Sequence, residues 1–193
     1  MKVALIIGHN PRGQGSYSSH LENSEYNFWR EVCNSINTIN DSIDIYCREA
    51  KTNYIEEMKP VIKEINNHNY DYCLELHFNA HKNENAKGCE CLVHKNSKKG
   101  KEIALSFLEK LNITFDIPIR QKNTKGLIEV ENSKTRGAYG ICNTKPPYVL
   151  IEPFFGTNVE ALEFKDSRVM ARFIVDFIMG FKFKEEKNER NFK

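Results

Sequence analysis

Two histidines and a glutamate stand where apolar runs give out. Val3–Ile7 is a continuous apolar run that ends in Gly8-His9-Asn10. Tyr72–Leu76, interrupted only by Glu75, ends in His77, with Asn79 two residues on. Residues 148–151 run out into Glu152-Pro153. Near-continuous apolar runs of this length read as strands buried on both faces of an α/β sheet. In open α/β sheets the side chains that bind and react gather at the carboxyl ends of strands. The three runs therefore predict one polar site along one edge of a sheet.

A further carboxylate belongs with them. Phe28, Trp29, Val32, Cys33 and Ile36 repeat at helical spacing and define the buried face of a helix over residues 24–38. Glu25 precedes Phe28 by three and Trp29 by four, so it lies on that buried stripe. A core-facing carboxylate is costly unless it is paired or binds a metal. Glu22 is the competing acid, but its place three residues after Ser19 reads equally as a capping box. Two imidazoles and one carboxylate, His9, His77 and Glu25, match hydrolytic zinc sites that keep a fourth position open for water. Zinc lowers the pKa of water toward neutrality and polarises a carbonyl oxygen. A second, non-ligating carboxylate must then carry the proton to a leaving nitrogen, and Glu152 is the candidate. Glu75 shares a strand face with His77 and stays open as a ligand, a hydrogen-bond partner of one, or half of a buried ion pair. A lone histidine at a strand end is more often structural than functional; the convergence of several such residues carries the reading.

The elements that must position these residues follow an α/β pattern. Residues 43–47 read as a strand ending at Arg48. Tyr54, Ile55, Met58, Val61, Ile62 and Ile65 define an amphipathic helix that Pro60 either opens or kinks. Residues 88–94 alternate as a strand, and residues 98–111 form a helix on Ile103, Ala104, Phe107, Leu108 and Leu111. Leu127–Val130 is a short strand or a loop near the site. Residues 138–142 read as a strand, and Asn158 as the cap of a helical region faced by Val169, Met170, Phe173, Ile174, Phe177 and Ile178. Residues 1–181 then form one domain and residues 182–193 a charged, flexible tail.

A chain of 193 residues with a net charge of +2 fits a single domain and gives no argument for nucleic acid as a partner. Lysines cluster at Lys82, Lys87, Lys95, Lys98, Lys99 and Lys101, a solvated face. No apolar span is long enough to cross a membrane, so stable membrane insertion is not expected. The opening apolar run stops at Gly8-His9 without a cleavage site, which predicts cytoplasmic synthesis without a signal peptide. Most of the six cysteines lie in apolar runs, as buried thiols do. Cys89 and Cys91 with His94 have some ligand character, but alternation along a strand explains them as well.

Taken in order, Gly8-His9, Ser24-Glu25-Tyr-Asn-Phe28, Leu76-His77-Phe-Asn79-Ala80 and Leu150-Ile-Glu152-Pro-Phe-Phe-Gly-Thr-Asn158 resemble the zinc-dependent N-acetylmuramoyl-L-alanine amidases of the amidase-3 type, found in bacterial autolysins and phage endolysins. The resemblance runs from Val3 to about Gly180. It implies a twisted, mostly six-stranded mixed sheet with helices on both faces, Zn2+ held by His9, Glu25 and His77, and a catalytic Glu152. It also implies peptidoglycan as substrate, cut between the lactyl group of N-acetylmuramic acid and L-alanine, with Asn79 and the Arg136-Gly137 segment lining the groove. The loop after His9, Asn-Pro-Arg, departs from the family's glycine-rich run, so the mouth of the site is expected to differ. No wall-binding domain follows, and a lysin or prophage product reaching the wall after release is the expected role. The alternatives are a zinc peptidase or amidohydrolase on soluble peptides and a non-catalytic module that binds wall peptides.

Overall fold

The computed structural model describes residues 1–121, 123–135 and 137–184. In chain order the elements are β1 (Val3–Ile7), β2 (Tyr17–Ser18), β3 (Asn23–Ser24), α1 (Glu25–Ile39), β4 (Asp44–Tyr46), α2 (Tyr54–Ile65) and β5 (Tyr72–Leu76). They continue as β6 (Glu90–His94), α3 (Lys98–Phe115), β7 (Leu127–Val130), α4 (Tyr139–Asn143), β8 (Tyr148–Glu152), a 3-10 turn (Val159–Phe164) and α5 (Ser167–Gly180). Six strands form one mixed sheet in the order β4-β1-β5-β8-β6-β7, and β2 and β3 pair as a small separate hairpin. β4, β1, β5 and β8 are parallel neighbours; β6 meets β8 antiparallel and β7 follows β6 in parallel. The expected six-stranded mixed sheet with helices on both faces is the fold observed.

Strand alternation divides the core in two. Val3, Leu5, Ile7, Leu74, Leu76, Val149 and Ile151 face α1, α3 and α5. Ala4, Ile6, Cys73, Tyr148 and Leu150 face α2 and α4. The first side is sealed by three long helices. The second is covered by a twelve-residue helix and a five-residue one. By the same parity Glu75, Glu90 and Glu152 fall on the sparsely covered side, so the sequence places its strand carboxylates where room remains.

Several elements differ from expectation. Residues 138–142 do not add a strand: Tyr139–Asn143 is a short helix. Ala138 and Ile141, three apart, both face the second core, a helical spacing hidden inside a run too short to show its period. Asn158 caps the 3-10 turn, accepting from Glu160 N, whereas α5 is capped by Asp166. Helix α3 runs four residues beyond Leu111 to a left-handed Asp116, because Phe115 packs on Phe164 and Phe173. Pro60 lies in the interior of α2; Met58, Val61, Ile62 and Ile65 hold the helix onto the sheet. Leu127–Val130 is an edge strand next to β6. All six cysteines are free, and Cys89 and Cys91 are buried in the first core.

The segment after residue 181 is docked at its start. The Phe183 ring meets Tyr72 and Phe181 edge-on, and Lys99 Nζ lies 5.1 Å from the Phe183 ring centroid. Phe183, within the tail expected from residue 182, thus packs on the domain, while residues 185–193 of that tail lie outside the described residues. Phe183→Ala is expected to cost about 1–2 kcal/mol, less than a fully buried Phe because the ring is partly exposed. At roughly 2–4 °C per kcal/mol for a chain of this size, thermal unfolding should shift by several degrees. An unchanged midpoint would show that this contact contributes nothing.

Candidate active site

The residues singled out at strand ends meet in one open cavity of about 810 Å³, which His9, Glu25, His77, Asn79 and Glu152 all line. Glu25 is the first residue of α1, whose N-cap Ser24 accepts from Asn27 N. A carboxylate in the first turn is favoured by the helix dipole. The competing capping box is not formed: Glu22 has a left-handed backbone and pairs with Lys165 at the surface.

Glu25 is 3% exposed and is surrounded by donors. Its Oε1 accepts from Phe78 N at 3.1 Å and lies 2.9 Å from His77 Nδ1 and 3.3 Å from His9 Nε2. Its Oε2 accepts from Ser16 N at 3.3 Å. Burial alone would raise this carboxyl, but hydrogen bonds and charge from His77 and His9 more than offset it and hold it at about 2. Ligand atoms of His9, Glu25 and His77 lie within 4.8 Å of one another, as a metal ion requires.

The outer side of each imidazole is also fixed. His9 Nδ1 donates to Gly13 O at 2.9 Å, which turns Nε2 toward Glu25. His77 Nε2 is 3.1 Å from Glu75 Oε1, and Glu75 Oε2 accepts from Tyr148 OH at 2.9 Å. Both His77 nitrogens thus face carboxylates. Burial would lower this imidazole, but the Glu25 and Glu75 hydrogen bonds more than offset it and lift it to about 10. A cation held at Nδ1 would leave Nε2 to Glu75. Two glycines make the approach possible. A Cβ on Gly8 would lie 2.0 Å from His77 Nε2, and one on Gly15 2.5 Å from Glu25 Oε2. The donor set, the hydrogen-bond anchors behind both rings and the close packing fit a zinc ion.

Of the open roles for Glu75, the geometry selects the hydrogen-bond partner of His77: it is fully buried and stands outside the ligand cluster. Tyr148 was missed by sequence reasoning, since its place on an apolar strand gave no signal. Glu152 ends β8 with a buried Oε2 that has no hydrogen-bond partner. Burial raises its carboxyl to about 8; His77 pulls it down, and Glu25, Glu90 and Glu75 push it up. Across the β6–β8 ladder it faces Glu90, which accepts from Asn79 Nδ2 at 2.6 Å and pairs with Arg120 Nε at 3.0 Å. Asn79 therefore lines the cavity with its amide already engaged. Arg136, expected to line the groove, lies outside the described residues.

The comparisons bear on this arrangement. The catalytic domain of the CD27L endolysin targeting Clostridia difficile is 25% identical to the chain, with a TM-score of 0.71, covering 95% of this chain and 99% of that one. The catalytic domain of CwlV, an N-acetylmuramoyl-L-alanine amidase from Bacillus (Paenibacillus) polymyxa var. colistinus, is 20% identical, with a TM-score of 0.68 and coverages of 93% and 97%. The CwlD amidase from Clostridioides difficile, solved with the GerS lipoprotein, is 17% identical, with a TM-score of 0.68 and coverages of 93% and 99%. These last two show the shared fold. No curated protein sequence matches the chain. The profile of the N-acetylmuramoyl-L-alanine amidases, Amidase_3, matches residues 3–178, and the chain belongs to that family.

Proposed function

We propose that the chain is a zinc-dependent peptidoglycan amidase that cuts between the lactyl group of N-acetylmuramic acid and L-alanine, in an endolysin role. The observation that carries this reading is the convergence of His9 Nε2, Glu25 and His77 Nδ1 beside the unpartnered carboxylate oxygen of Glu152 in one cavity. His9, Glu25 and His77 would hold the ion. When bound, zinc supplies Lewis acidity toward a carbonyl oxygen and lowers the pKa of water. Glu152 takes the proton from the attacking water and delivers it to the leaving L-alanine nitrogen. Its buried position keeps the carboxyl near the pH at which it can both accept and return a proton. Glu75, braced by Tyr148, holds the His77 ring in the tautomer that presents Nδ1 to the cavity. Phe78 N and Ser16 N hold Glu25, so that its orientation does not depend on the ion. The endolysin role is supported by the likeness to the CD27L catalytic domain.

Mass spectrometry of products from purified peptidoglycan tests the bond. A free N-terminal L-alanine is expected, and release of soluble peptides cut elsewhere would point to a peptidase.

Protein purified without added metal should contain close to one zinc per chain by elemental analysis, and His77→Ala should lose most of it. Full retention of zinc in the separate alanine variants of His9, Glu25 and His77 would refute the ligand set. Glu152→Gln should keep zinc and the melting temperature while lowering the hydrolysis rate by at least about a hundredfold. A wild-type rate in this variant would remove Glu152 from the mechanism. Glu75→Gln is expected to act on the ion instead, weakening zinc affinity by roughly ten- to a hundredfold in competition with a chelator. Unaltered affinity would leave Glu75 a packing residue.

A further inference from the structure

The loop that departs from the family pattern lines the same cavity beside His9. Asn10, Arg12 and Gly13 line it together with Arg48, Tyr54, Glu57 and Lys134. Asn10-Pro11-Arg12-Gly13 is a tight turn closed by Gly13 N donating to Asn10 O at 3.1 Å. Asn10 Oδ1 stiffens it by accepting from Arg12 N and Gly13 N, both at 3.1 Å. The Gly13 carbonyl is also the anchor of His9 Nδ1, so Arg12 is fixed within one turn of a candidate ligand.

Charge beside this loop is out of balance. Glu57 is buried, and its Oε2 receives Arg48 Nη1 at 3.1 Å while its Oε1 receives Lys51 N at 3.2 Å. Arg48 is itself buried, donates also to Gly8 O, and lies over the Tyr54 ring. That pair already neutralises the buried carboxylate. Arg12 adds a second guanidinium, with Nε and Nη2 each 2.8 Å from Glu57 Oε1. One positive charge is left over, on a side chain 48% exposed toward the cavity. Buried Asn10 contributes an Nδ2 with no hydrogen-bond partner. Tyr54 OH donates to Gly137 O at 3.2 Å, which ties in the loop carrying the exposed Lys134. Elsewhere the cavity lining includes Glu25 and Glu152.

We infer that this wing of the cavity is a subsite for a carboxylate of the stem peptide, the free α-carboxylate of a glutamate that follows L-alanine and is linked through its side chain. Arg12 is its main contact and Lys134 a second one. The inference rests on the amidase reading. Arg12 and Lys134 line the same cavity as His9, Glu25 and His77, so a peptide cut there can present the carboxylate of its second residue to them. A guanidinium with spare donors suits a carboxylate better than an uncharged amide.

The test uses the full-length, zinc-loaded protein and two soluble substrates, N-acetylmuramoyl-L-alanyl-D-isoglutamate and its α-amide. The acid should be cleaved with kcat/KM on the order of tenfold higher, carried by KM. Arg12→Gln should bring that ratio toward one, and Lys134→Met should lower it part of the way. Calorimetry with the released dipeptide acid and its amide should reproduce the preference in the wild type and lose it in Arg12→Gln. Lys134 lies on an exposed loop, so its variant reports on the ratio even if Arg12→Gln disturbs folding. Equal cleavage of both substrates by the wild type would overturn the subsite and leave the amidase standing. An undiminished preference in both variants would overturn it as well. Cleavage of neither substrate would overturn the amidase reading and the subsite with it.

Discussion

Glu25 is a carboxylate taken almost wholly out of water at the point where two imidazoles converge, and much of the local structure serves to make that tolerable. A buried charge without partners would cost several kcal/mol. Here it sits on the first turn of α1 and receives Phe78 N and Ser16 N. Those donors must come from two directions, which explains the folded-back loop before the helix: Glu25 N donates to Ser16 O and Tyr26 N to Gln14 O. The crowding that follows admits no Cβ at Gly8 or Gly15. Phe28, Phe78 and Phe154 pack edge-on or tilted against one another, and Phe78 lines the cavity. The remaining imbalance is between one carboxylate and two ring nitrogens, and a proton or a cation can settle it.

The sheet sets where this can happen. Alternation along β5, β6 and β8 sends their carboxylates to the face that α2 and α4 cover incompletely. Each has a different fate. Glu75 is closed in by His77 and Tyr148, and Glu90 by Asn79 and Arg120. Glu90 Oε2 and Glu152 Oε2 both lack a hydrogen-bond partner, but Glu90 Oε2 is ion-paired with Arg120 whereas Glu152 Oε2 faces no cation of the described residues that closely. Of three acids on one face two are tied, and this is the observation that supports the proton-shuttle role proposed for the third. Gly140 belongs to the same logic: a Cβ there would meet Tyr148 OH at 2.5 Å and disturb the brace behind Glu75.

Much of this was legible because strand ends and helical stripes are short-range signals. Five-residue apolar runs located β1, β5 and β8, and the stripe of Phe28 and Trp29 assigned Glu25 to the buried face. What failed depended on contacts remote in the chain. The helix at Tyr139–Asn143 is too short for its period to compete with the strand-like composition of its residues. Asn158 and Asp166 are both good caps, and only the 3-10 turn between them decides which one serves α5. Tyr148 and Arg48 act through partners 73 and 40 residues away, and no local pattern announces such pairings.

The turn after His9 lines the cavity, and its sequence carries the geometry. Asparagine at the first position, proline at the second and glycine at the fourth are the residues that a type I turn favours. Proline presets φ, and the asparagine side chain caps the backbone N–H groups of Arg12 and Gly13. Because the Gly13 backbone carbonyl fixes His9, the third position bears no part of that anchoring. Its side chain can therefore change without disturbing the histidine, and here it is an arginine directed at a carboxylate already paired. A surplus charge held rigidly beside a candidate ligand separates the work of the loop into two parts: the backbone orients the imidazole, and the side chain sets the electrostatic character of the cavity mouth.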